Sequence, residues 1–275
     1  VGDGMLFAAI VTRLKKTHGI ATVIVPHADM QFVLRHHDRH RRKLMLSETL
    51  DGPGRVFQAA VLLANLEARD EISLVCEKFK PEDANQEKLA RVTFANYFAA
   101  AIVMPYTAFA EAAESLGYDI DLLCGRFSAS FEQVAHRLTT LSRPGKSSVP
   151  FFMVRVDAAG NISKRFSSGA FPFSRVGGTC ARWNIHHAFQ RPGVIERQSV
   201  EMPDGSKWLT ISRTVTSTLQ AWNSSGAQFV ISLGCALKYA PRLVYGRDID
   251  VKASASTPIG INCRLCERPN CAQRS

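Results

Sequence analysis

The chain has 275 residues, 46% hydrophobic and 21% charged, and carries a formal net charge of +10. That length supports a sizeable core and, as a prior, two domains, and the composition excludes a disordered chain. The longest apolar run, Phe94 to Pro105, is too short to span a bilayer and is interrupted by Asn96. No signal-peptide pattern opens the sequence, so the expected location is cytoplasmic. The positive charge suits nucleic acid or a multiply phosphorylated small molecule, and a basic surface with no specific ligand accounts for it equally well. The first residue, Val1, stands just before a helical pattern, as in a fragment of a longer protein.

A helix is expected from Gly4 to His18. Its apolar stripe is Leu6, Phe7, Ile10, Val11 and Leu14, its last turn is basic, and Gly19 stops it. A short strand from Ile20 to Pro26 follows. MQFVLRHHDRHRRKLMLS (30–47) reads as two strands joined by a charged turn around His37 to Arg39, with Leu44 and Leu46 inward and Arg41 and Lys43 on the opposite face. Three helices are expected next, over Pro53–Arg69, Asn85–Met104 and Thr107–Leu116, with Pro105 ending the second. Another runs from Phe127 to Leu141 and is closed by Arg143-Pro144-Gly145-Lys146, where the period changes. Beyond that break, strands are expected over Pro150–Val156, Ile195–Glu201, Trp208–Val215 and Gln228–Cys235, with a Pro203-Asp204-Gly205 hairpin turn. This second half therefore reads as an antiparallel sheet with flanking helices.

Seven cysteines are present, and three of them fall within nine residues as Cys263-x2-Cys266-x4-Cys271. No secretory pattern accompanies them, so a reducing compartment and metal ligation are favoured over a disulfide framework. The C-x2-C step lets two thiolates reach one centre from a tight turn, and the four-residue spacer brings the third around. Cys235 follows Leu233-Gly234 at the end of an apolar strand and is the candidate fourth ligand, against the alternative of an ordinary buried core cysteine. Spacing alone leaves zinc and iron–sulfur both open.

The segments GRVFQAAVLLANLEAR (54–69) and ARVTFANYFAAAIVMPY (90–106), together with the cysteine tail, resemble the short-chain fatty acyl transcriptional regulators of actinobacteria. The resemblance covers essentially the whole chain. It implies an α+β protein with a degenerate zincin-like, ImmA/IrrE-type domain at 1–125, a GAF-like antiparallel-sheet domain at 126–258 and a Cys-rich tail at 259–275. It also implies an N-terminal helix-turn-helix outside this chain, binding of CoA or a short acyl-CoA, and a [4Fe–4S] cluster on Cys235, Cys263, Cys266 and Cys271. The function implied is effector sensing in a transcription factor for short-chain acyl-CoA (propionate) metabolism, without catalysis. Expected partners are CoA or acyl-CoA, promoter DNA through the absent domain and further copies of the chain, with no membrane.

The H-E-x-x-H motif of the resembled peptidase fold falls on Val61-Leu62-Leu63-Ala64-Asn65, and its acidic ligand falls on Phe94. Without imidazole or carboxylate donors that site holds no zinc and activates no water, leaving a cleft suited to a small acyl chain. For the CoA phosphates the expected residues are Arg13 and Arg41, with Arg39 and Lys43 as weaker candidates and Tyr97 near the acyl end. A merely solvated basic turn is the competing reading, and His36, His37 and His40 are read as exposed polar residues of that turn. Two rival functions stay open at the level of sequence: an acyl-CoA-processing enzyme, and a nucleic-acid-binding module with a structural zinc ribbon.

Overall fold

The computed structural model describes residues 3–30, 33–143, 148–174, 178–216, 226–252, 255–264, 266–269 and 271–273. They fall into two units. One comprises the residues up to Phe109 together with Cys124–Ser130, and the other comprises Ala110–Leu123 and the described residues from Phe131 onward. Residues 259–273 thus belong to the second unit.

In the first unit, α1 (Asp3–His18) ends at Gly19, whose φ of 67° places it in the left-handed region that glycine adopts without strain. The chain then forms β1 (Ala21–Val25), β2 (Arg35–Asp38) and β3 (Lys43–Ser47), in the sheet order β1-β3-β2. β3 pairs parallel to β1 and antiparallel to β2. Its buried Leu44 and Leu46 point inward as the alternation requires. The turn between β2 and β3 falls at 39–42, slightly later than the charge pattern indicates, so Arg41 lies in the turn and not on a strand.

α2 (Gly52–Glu67) is started by Asp51, whose carboxylate accepts from the Gly54 N–H at 2.7 Å, with Pro53 in the first turn. α3 (Arg69–Phe79) follows at once and ends on Lys80 in the left-handed conformation. α4 (Ala84–Val103) is capped by Asp83, which accepts from the Gln86 N–H at 2.7 Å. α2 packs on α4, and the buried alanines Ala59, Ala60 and Ala64 on one helix and Ala95 and Ala99 on the other allow a close approach. α5 (Tyr106–Ser115) starts just after Pro105. The helix expected over 127–141 is two helices, α6 (Ile120–Phe127) and α7 (Phe131–Leu138), separated where Ser128 takes a φ of 54°.

The second unit is built on a six-stranded sheet of order β5-β4-β8-β7-β6-β9. Its strands are β4 (Phe151–Asp157), β5 (Ile162–Ser167), β6 (Glu196–Glu201), β7 (Lys207–Thr216), β8 (Gln228–Ala236) and β9 (Thr257–Pro258). All pairs are antiparallel except β6–β9. The expected hairpin between β6 and β7 turns at Gly205, whose φ is +80°. No helix among the described residues is by itself long and apolar enough to cross a membrane.

The two faces of this sheet have different partners. Phe152, Val154, Val156, Trp208 and Val230 share one face with Phe171, Cys180, Trp183, Ile185 and Ile259 in a single buried cluster. The Phe152 and Phe171 rings stack there with centroids 3.7 Å apart. The other face carries Phe151, Met153, Leu209, Ile211, Leu233 and Cys235, which are register partners across β4, β8 and β7. It is covered by α7, and the Phe151 ring meets Tyr118 at 5.3 Å.

Candidate functional site

A cleft of about 380 Å³ opens in the first unit between β2, α2 and α4. Its floor is Val61 and Asn65 of α2 with Val92 and Ala95 of α4, the same helical positions on which the lost zinc motif falls. The cavity of the resembled fold is therefore retained while its donors are gone. The apolar lining expected from the sequence holds for the floor and not for the walls. Arg35, Lys88 and Arg91 line the cleft against one carboxylate, Glu87, and Gln58, Asn65 and Asn96 contribute carboxamides.

Arg35 reaches this cleft because of register. It lies opposite the buried Leu46 in the β2–β3 ladder and so shares that residue's inward face. Its Nη1 donates to the Gln58 carbonyl at 3.4 Å, and burial lowers its pKa with no compensating carboxylate. A half-buried guanidinium without a counter-ion, facing a cavity, is a site for an anion. Arg91 is held in place by Glu87 at 2.9 Å and donates to the Ser73 hydroxyl at 3.0 Å. Asn65 Nδ2 is spent on the Val61 carbonyl at 2.9 Å, an i−4 bond along α2.

The residues singled out from the sequence as phosphate contacts lie elsewhere in the unit. Arg13 on α1 is exposed and paired with Glu67 at 2.8 Å. Arg39 and Arg41 are exposed turn residues, and the Arg41 guanidinium stands 3.9 Å from Asp38. Lys43 is exposed on β3, and Tyr97 of α4 is 44% exposed. None of the five lines the cleft, which draws its cations from Arg35, Lys88 and Arg91 instead. Strand parity was the available signal, since Arg35 is an even number of residues from His37, which pairs with the inward-facing Leu44. Of the three histidines, His36 and His40 are exposed, while His37 is half-buried on the inner face with its pKa lowered by burial and by Arg39 and Arg35.

The cysteine tail is knit to the edge of the second unit's sheet. Ile259 is buried in the aromatic cluster, Asn262 Nδ2 donates to Ser174 Oγ at 3.0 Å, and Arg268 donates to the Ile259 and Glu201 carbonyls at 3.0 and 2.8 Å. Gly260 lies against Cys266, and a Cβ at that glycine would stand 2.7 Å from the sulfur. Cys263 is exposed, and Cys266 and Cys271 are half-buried, so the three thiols are available to a ligand. Among the described residues no three Cys, His, Asp or Glu side chains converge on one centre.

The donor chemistry of the tail suits a thiophilic metal. The expected fourth ligand does not join it. Cys235 is fully buried on the opposite face of the sheet from Ile259, with burial pushing its thiol up to about 12.

Comparison with known proteins matches these features to one group. Residues 140–275 match the short-chain fatty acyl coenzyme A regulator C-terminal domain, and residues 15–139 match the IrrE N-terminal-like domain. The chain belongs to the family of short-chain fatty acyl-CoA regulators. It is 43% identical over 99% of its length to the HTH-type transcriptional regulator RamB of Mycobacterium tuberculosis, covering 58% of that protein. It is 39% identical to the HTH-type transcriptional regulator PrpR of the same organism, over 99% of this chain and 56% of that protein. It is also 41% identical to the propionyl-CoA carboxylase regulator of Cereibacter sphaeroides, over 86% of this chain and 51% of that protein. The chain thus spans somewhat over half the length of these relatives. A solved Mycobacterium tuberculosis transcriptional regulator superposes with a TM-score of 0.92 at 39% identity, covering 98% of this chain and 82% of that one. These relatives are named as regulators and not as enzymes, in keeping with a zincin-type cleft that has lost its metal donors.

Proposed function

We propose that this chain is the effector-sensing region of a transcription factor for short-chain acyl-CoA metabolism, and that the α2–α4 cleft binds CoA or a short acyl-CoA. The observation that carries this reading is Arg35, an inward guanidinium with no carboxylate partner at the wall of a cleft whose floor is apolar. In this reading Arg35, Lys88 and Arg91 meet phosphate oxygens, for which a planar guanidinium is the best-matched donor. The carboxamides of Gln58 and Asn96 suit an amide-bearing arm, which both donates and accepts hydrogen bonds. Val61, Val92 and Ala95 suit the apolar remainder. Arg13, Arg39, Arg41 and Lys43 act on an anionic ligand through the field of the unit and not by contact in the cleft.

The second unit is proposed as the GAF-like half of the sensor, with Cys263, Cys266 and Cys271 holding a sulfur-ligated metal centre. The resemblance makes that centre an iron–sulfur cluster. Promoter DNA is met through a segment outside this chain, in the cytoplasm and as a homo-oligomer. Titration calorimetry of the chain with propionyl-CoA, CoA and free propionate tests the ligand half. Saturable binding of the two CoA compounds and none of propionate is expected, and equal binding of propionate would refute it.

A further inference from the structure

The proposed metal centre has three thiolates close together in sequence and needs a fourth donor. β8 is a central strand, hydrogen-bonded to β4 on one side and β7 on the other. Bringing the Cys235 side chain to the tail's face would require a one-residue slip of that register. Such a slip would carry the buried Ile231 and Leu233 across with it and break the alternation of both ladders. The tail's face is also already filled at this point. A Cβ on neighbouring Gly234 would stand 2.5 Å from the Phe152 ring and 2.8 Å from the Leu209 carbonyl.

A different cysteine lies on the correct face. Cys180, 7% exposed, belongs to the same buried cluster as Ile259, with Ile261 packed against it. Its neighbour Thr179 and the segment Phe171–Ser174 line a void of about 10 Å³ together with Ile259, Gly260 and Ile261 of the tail. The buried hydrogen bond from Asn262 to Ser174 ties the two segments directly, one residue before Cys263. The loop that carries Cys180 and the loop that carries the other three cysteines are therefore already packed on one another. Cys235 has the sheet between it and both.

We infer that Cys180, and not Cys235, completes the thiolate set of Cys263, Cys266 and Cys271, so that the centre staples the 171–180 loop to the C-terminal tail. This rests on the reading of the tail as a metal site. One pair of experiments separates the two claims. The whole chain, purified without oxygen, is assayed for metal and acid-labile sulfide, and the sulfur count around the metal is read by X-ray absorption. A wild-type chain that holds no metal, even after reconstitution with iron and sulfide, overturns the metal site itself and the inference with it.

With metal bound in the wild type, C235A is expected to keep both the metal and the four-sulfur shell, and C180S to lose metal while tryptophan fluorescence remains that of the folded sheet. C180H supplies a nitrogen donor in place of sulfur and is expected to retain metal with a three-sulfur, one-nitrogen shell. An unchanged all-sulfur shell in C180H, or a three-sulfur shell or metal loss in folded C235A, overturns the assignment. Should C180S fail to fold, the C180H and C235A shells decide the matter alone.

Discussion

The two units hold their functional groups in different settings. In the helical unit, the zinc-motif positions have become Val61, Leu62 and Asn65, and what survives is the space between α2 and α4 with Arg35 at its wall. In the sheet unit the interior is filled by stacked aromatic rings and leaves only a void of about 10 Å³, while the reactive groups sit on a tail pinned to the sheet's edge. A cavity with unpaired cations accepts a diffusible ligand, whereas a packed core with thiols at its margin accepts a metal that becomes part of the fold. Losing donors in one unit and gathering them in the other changes an enzyme-like scaffold into a sensor.

The largest effect expected on this contrast concerns the filled core. Phe152→Ala, which removes the ring stacked on Phe171, should destabilise the sheet unit by about 3–5 kcal/mol in denaturant unfolding. A much smaller loss would mean that the aromatic cluster is not tightly packed.

His136 gives the next effect. Its ring lies 4.2 Å from Phe166, and burial holds its pKa down at about 4, with Lys164 and Arg137 adding to the shift and Glu132 opposing it. The neutral form is the one the folded state favours, so this contribution is complete above the unfolded value near 6.5 and is lost as pH falls towards 4. Unfolding measured across that window should show about 2–3 kcal/mol of lost stability, and His136→Gln should flatten the dependence. The helical unit's ligand cleft contains no comparable group.

Smallest are the exposed arginines of the helical unit. Arg41→Ala and Arg13→Ala should weaken binding of an acyl-CoA by no more than about threefold, because each is solvent-exposed and already faces a carboxylate. A loss as large as that from a cleft cation would move the site to the β2–β3 turn.

Much of the fold was legible because periodicity and caps agreed. α1, α2, α4 and the strands β4, β6, β7 and β8 fall within a few residues of where their patterns place them. α3 was missed because Leu74, Val75 and Phe79 are exposed, so its apolar residues do not mark a buried stripe. β5 was missed because it is a polar edge strand, ISKRFS, with little to bury. The break between α6 and α7 rests on Ser128 in the left-handed region, and serine gives no warning of that.

In the cleft, composition showed a cluster of basic residues over 35–43 but not which of them turns inward. That depends on the pairing of Arg35 with Leu46, a tertiary fact. Cys235 was misplaced for a related reason. A cysteine ending an apolar strand shows that it is buried, while the face it occupies emerges only from the register of three strands.

The central claim is that Arg35 anchors an acyl-CoA in the α2–α4 cleft, and calorimetry of propionyl-CoA with Arg35→Ala beside Arg41→Ala tests it most directly. Loss of a charge-assisted phosphate contact at Arg35 predicts an affinity about 10- to 100-fold weaker, with Arg41→Ala close to wild type. Equal affinity in wild type and Arg35→Ala would contradict the account.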